Sequence, residues 1–244
     1  AADGEVAELV GRLSTEPDLD KAERRRLLGR LSAVLAASAR RARASGADRG
    51  RWLAELFLSI APRLPVRDLE TLREHHYGLT GERLADDLVR TAANATMTVG
   101  AIGGALAAAE FAAPPLLLSA PAQLVAETLV VAAIEVKLIA ELYEVYGVRV
   151  GGNGAQRAAT FVTAWARQRG VDPLQPSSVS VALGAAAKIS LRNRLMRTLG
   201  RHLSTLGPFL TGAVAGGALN RIATRKLAEA VRADLRSRQA LPPS

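Results

Sequence analysis

Residues 91–148 carry six formally charged side chains: Glu110, Glu127, Glu135, Glu141 and Glu144, with Lys137 as the sole cation. They stand among Ala, Val, Leu and Ile, where an ionised carboxylate is unfavourable unless it is paired or hydrogen-bonded. At 100° per residue, Glu110 shares a helix face with Ala85, Leu88, Val99, Gly103 and Ala107, while Arg83, Asp86, Arg90 and Asn94 fall opposite. Glu110 is therefore expected to be buried. So is Glu135, beside Thr128, Ile139 and Leu142, while Glu127 falls in line with Val131, Ile134 and Leu138. Lys137, Glu141 and Glu144 group on another side and read as a solvated face, with Lys137 and Glu141 paired at i, i+4.

A buried carboxylate with a raised pKa can act as a general acid or an electrostatic stabiliser, so Glu110 and Glu135 are the candidate catalytic residues. A metal is not expected: carboxylate-bridged bundles also supply Glu-x-x-His pairs, and no histidine stands at that spacing from these glutamates. With no cysteine, disulfides and thiolate chemistry are excluded. No cofactor is expected, because GAIGGAL (100–106) and GAVAGGAL (212–219) lack the GxxxxGK pattern and follow no strand. Both glycine runs read as close-packing helix surfaces. His75-His76 reads as a cationic helix end, and Asp86-Asp87 as a solvent face shared with Arg83 and Arg90.

The cations gather elsewhere. Between Pro173 and Ala228 there is no acidic residue, yet Lys188, Arg192, Arg194, Arg197, Arg201, Arg221, Arg225 and Lys226 all occur. Lys188 and Arg192 share the face of Val181, Gly184, Leu191, Leu195 and Leu199, where they are placed to reach Glu110 or Glu135. With Asn220 and Glu127 they form the candidate ligand- or anion-binding set. Arg194, Arg197 and Arg201 make an exposed stripe, the candidate membrane-surface residues.

The elements that must position these groups are helices. The 244 residues suffice for one substantial core, alanine is abundant, and β-branched and aromatic runs are scarce. Helical spacing and caps predict helices over about 3–13, 19–45 (capped by Asp18), 48–61, 67–76, 80–113, 122–146, 155–169, 179–204 and 208–240. The expected fold class is all-α: a compact bundle of eight to nine helices around a central apolar helix. Residues 1–78 are expected as an N-terminal helical extension and 79–244 as the core. None of the apolar stretches reaches the roughly 20 strongly apolar residues of a membrane span, and AADGEVAELV has no basic leader region. The net charge of +9 points to anionic partners. Nucleic acid is not the expected one, since the arginine runs near 24–26 and 40–43 lack interleaved aromatics and read as solvated.

From about 79 to 236 the chain resembles the EcsC protein family. The resemblance rests on the glycine-rich GAIGG, the Pro114-Pro115 segment before a long apolar helix, LIAELYEVYG, and PFLTGAVAGGALNRIATRKLAEAVR with Asn220. It implies an all-helical, membrane-peripheral protein and supplies no reaction. The function expected is thus binding at an anionic membrane surface or of a lipid or other apolar ligand, from the cytoplasm on the inner face of the plasma membrane. Two alternatives are an enzyme acting on an isoprenoid or acyl substrate inside the bundle, with Glu110 and Glu135, and a helical scaffold for a protein partner.

Overall fold

In the computed structural model, residues 2–16, 19–41, 46–111, 120–168, 183 and 212–240 are described. They form eight α-helices and no strand: α1 (Ala2–Thr15), α2 (Lys21–Arg41), α3 (Gly46–Ile60), α4 (Leu69–His75), α5 (Gly81–Phe111), α6 (Ala120–Val145), α7 (Gly154–Gln168) and α8 (Gly212–Ala240), with a 3-10 turn at Ala61–Arg63. The all-α expectation holds. The helix expected over 179–204 lies outside the described residues except for Leu183, which is helical and buried.

Local chemistry sets the helix ends. Asp20 caps α2, accepting from the Glu23 N–H at 2.7 Å, while Asp18 lies outside the described residues. Asp68 caps α4 through the Thr71 N–H at 2.8 Å, which holds its carboxyl below the usual range. Asn153 and Gln156 cap α7 reciprocally, each side chain accepting the other's backbone N–H at 2.9 and 3.0 Å. At the end of α6, Gly147 takes a φ of +67°, and the Val148 N–H turns back to the Tyr143 carbonyl at 3.0 Å.

The bundle is organised around α6. Every residue from Ala126 to Tyr143 is buried, so this helix has no solvent face along that length. Helices α1, α2, α4, α5, α7 and α8 all pack on it. A helix apolar on all sides must be enclosed, and burying each Val, Leu or Ile contributes roughly 1.5–3 kcal/mol. Helices α1, α2 and α4, all within the first 78 residues, belong to that enclosure.

The longest helix pairing is α5 on α8. It is close because α8 presents Gly217: a Cβ there would stand 2.7 Å from Met97 Cγ and 2.9 Å from its carbonyl oxygen. Gly217 is thus a packing position of α8. On the other side of α6, Trp165 of α7 is fully buried against Phe57 of α3, with ring centroids 5.7 Å apart.

Candidate functional site

Glu135 is fully buried at the middle of α6, as its position among apolar neighbours implies. Its Oε2 accepts from Trp165 Nε1 at 2.8 Å and its Oε1 from Thr224 Oγ1 at 2.9 Å. Thr224 has one proton, and it goes to the carboxylate. The Thr96 hydroxyl, 2.9 Å away, is therefore positioned to donate to Thr224. Asn220, one turn earlier on α8, donates from Nδ2 to the Thr96 carbonyl at 3.2 Å. A polar seam thus runs from α5 through α8 to α6 and α7, at the point where Gly217 brings α8 onto α5.

The other residues singled out in the sequence fall as follows. Glu127 is buried on α6, two turns before Glu135. Glu110 belongs to the last turn of α5, and its side chain lies outside what the structure describes. Lys188, Arg192, Arg194, Arg197 and Arg201 also lie outside the described residues. The seam therefore joins Glu135 and Asn220 through Thr96 and Thr224, two threonines that sequence reasoning passed over because a threonine on a helix carries no periodic signal of its own.

Two sequence expectations are corrected. Lys137 and Glu141 do pair, but not on a solvated face: they are 8% and 3% exposed. The reason is the enclosure of α6, which α1, α2 and α4 cover on the side that an isolated helix would present to water. Asp87 is also buried, unlike its neighbour Asp86. The chain end of α4 turns inward to meet it: the Asp87 carboxylate accepts from His76 Nδ1 at 2.6 Å and from Arg90.

The turn that aims His76 carries strain. Tyr77 has a φ of +56°, in the left-handed region that a bulky side chain rarely adopts, and its ring is 96% exposed. Such a conformation costs about 1–3 kcal/mol and persists only where the surroundings impose it. Nδ1 is committed to Asp87, and Nε2 bonds to no described residue.

These groups line one open cleft of about 360 Å³ between α1, α4, α5 and α6. A larger cleft, about 620 Å³, opens between the 61–68 segment, α6 and α7. Arg67 and Lys137 line both. Burial pushes the Lys137 ammonium below the usual lysine range, Glu141 opposes that shift, and Arg67 adds to it by like-charge repulsion. The Arg67 guanidinium enters no ion pair among the described residues; only its backbone N–H reaches Glu141, at 3.4 Å. Glu135 lines neither cleft.

A third polar cluster is a clamp. Arg232 of α8, its side chain 6% exposed, meets Glu82 at 2.6 Å, Asp86 at 2.8 Å and Glu229 at 2.9 Å. Tyr146 donates to Glu82 at 2.9 Å and accepts from Arg232 Nε at 3.1 Å. Arg236 also binds Glu82, and chiefly through that bond the Glu82 carboxyl is lowered to about 2. In the Tyr146-Gly147 pair the tyrosine ties the end of α6 to α5 and α8, and the glycine stops the helix.

Among the described residues no helix is long and apolar enough to cross a membrane, and no group of His, Asp or Glu is placed to hold a metal ion. Comparisons with protein-family models, with curated proteins and with solved structures each return no match.

Proposed function

We propose that this is an EcsC-like helical protein that attaches peripherally to anionic lipid surfaces through the basic face of its C-terminal part. One observation carries the reading. On α8, Ile222 is 61% exposed, and Arg225 and Lys226, one turn further on, are exposed beside it without an ion pair among the described residues. An exposed apolar side chain with cations at i+3 and i+4 matches the boundary between acyl chains and anionic head groups. Each such cation contributes about 1 kcal/mol near an anionic bilayer, and burying Ile222 adds on the order of 1 kcal/mol. Together with the Arg194, Arg197 and Arg201 stripe, the sum is on the order of 6 kcal/mol, a reversible attachment that salt weakens.

Flotation with neutral and anionic vesicles, each at low and high salt, tests the reading. The protein is expected to float with anionic vesicles at low salt, and the triple variant Ile222→Ser, Arg225→Glu, Lys226→Glu to stay at the bottom. Equal flotation of the variant, or equal flotation with neutral vesicles at high salt, would refute it.

A further inference from the structure

The 360 Å³ cleft is unconnected to that surface and has a chemistry of its own. We propose that it is a binding site for a small anionic amphiphile, a carboxylate or phosphate head group on an apolar body, with Arg67 and Lys137 holding the head.

Three independent features lead there. The first is charge. Arg67 and Lys137 face the same space with Glu141, and the whole lining carries four cations (Arg24, Arg67, Arg90 and Lys137) against three carboxylates (Glu16, Asp87 and Glu141). Lys137 is buried, so its repulsion from Arg67 is poorly screened. An anion placed between them removes that repulsion and gives the Arg67 guanidinium the fork-shaped partner it lacks.

The second is the wall. Leu13, Leu88, Ala92, Ile134 and Leu138 line the cleft together with its polar groups, and a free inorganic anion has no use for them. At about 360 Å³ the space falls in the usual range of small-molecule sites, roughly 300–1,000 Å³, and is too small for a folded partner.

The third is the His76–Tyr77 turn. The left-handed Tyr77 backbone directs His76 inward and leaves an aromatic ring fully exposed at the same cleft. Asp87 holds the His76 ring in one orientation at the cleft. A strained backbone beside an oriented imidazole is an arrangement that a packing role for Tyr77 does not explain, because its side chain packs against nothing.

The full chain should be titrated calorimetrically with octanoate, octyl phosphate and inorganic phosphate, each below its aggregation concentration and without vesicles. Octanoate or octyl phosphate should bind saturably with one site per chain, and inorganic phosphate at least about tenfold more weakly. Arg67→Gln removes a guanidinium with no ion pair among the described residues, so its melting temperature should match the parent's while affinity falls about tenfold or more. Thr91→Trp, at an exposed lining position, should fold and bind neither amphiphile. The proposal is overturned if neither amphiphile saturates, if Arg67→Gln binds as tightly as the parent, or if inorganic phosphate binds as well as octyl phosphate. Flotation reads α8 and these titrations read the cleft, so either result stands whatever the other shows.

Discussion

Replacing Thr224 by valine tests the polar seam most directly, because the change keeps the side chain's shape and removes one hydroxyl. That hydroxyl donates to Glu135 Oε1 at 2.9 Å and lies 2.9 Å from Thr96 Oγ1, in a place where Thr224, Thr96 and Glu135 are all fully buried. A hydrogen bond to a charged group contributes about 1.5–3 kcal/mol, and a bond between two neutral hydroxyls about 1 kcal/mol. Thr96 can redirect its proton to the Ala93 carbonyl at 3.0 Å, so its loss is small. Glu135 keeps its bond from Trp165, but one oxygen loses a donor in a site that water does not reach. The expected net destabilisation is therefore about 2–3 kcal/mol. For a chain of this length that is a fall of roughly 4–12 °C in melting temperature. Thermal and urea unfolding followed by far-ultraviolet circular dichroism measure it, and an unchanged denaturant slope would show that the folded bundle is retained. Thr224→Ser should recover most of the loss. A change within about 0.5 kcal/mol for Thr224→Val would refute the reasoning, since surface substitutions produce no more than that.

Three further perturbations follow from the geometry. Gly217→Val places a branched side chain where even a Cβ would stand 2.9 Å from the Met97 carbonyl; it should destabilise by about 2–3 kcal/mol by urea titration. Glu141→Gln leaves the buried Lys137 without its carboxylate and should lose about 3 kcal/mol, whereas Lys137→Met with Glu141→Leu should lose far less in the same titration. Since burial already depresses the lysine, and a group that folds with a lowered ammonium pKa gains stability as pH rises towards its free value of 10.5, the deficit of Glu141→Gln should shrink between neutral pH and pH 10. The Glu82 carboxyl is lowered to about 2, so its contribution is complete above the free-carboxylate pKa of 4.5 and is lost as pH falls towards 2. Glu82→Gln should lose about 1 kcal/mol at pH 7, discounted because Glu82 is half exposed, and should show a flatter acid limb between those values.

Helix existence was legible from spacing and caps, because each helix buries a stripe that recurs every three to four residues. Glu135 was legible for the same reason: a lone carboxylate in line with Thr128, Ile139 and Leu142 has nowhere to go but inward. Lys137 and Glu141 were misread because an i, i+4 ion pair looks identical whether water or another helix covers it. What decides is how many neighbours a helix has, and that is a property of the whole bundle. Asp87 was misread because its partner, His76, reaches it only through the left-handed turn at Tyr77, and no rule of spacing places a tyrosine in that conformation. Arg24 likewise looked like one of a solvated run. In the structure it is 8% exposed and donates to the Glu16 and Leu19 carbonyls at 2.8 and 3.0 Å, tying the end of α1 to the start of α2. The cleft was invisible because its walls come from several helices, and spacing within one helix does not show which others will face it.

The enclosure of α6 also governs how the molecule opens. A helix with neighbours on every side has no route to water that leaves the rest of the fold intact, because uncovering Ala126–Tyr143 requires several other helices to move at once. Its backbone amides should therefore exchange hydrogen for deuterium only when the entire bundle unfolds. Their common exchange rate gives the global stability of the chain, while α1 and the exposed end of α8 exchange sooner. The same helix that lacks a solvent face is thus a built-in gauge of folding.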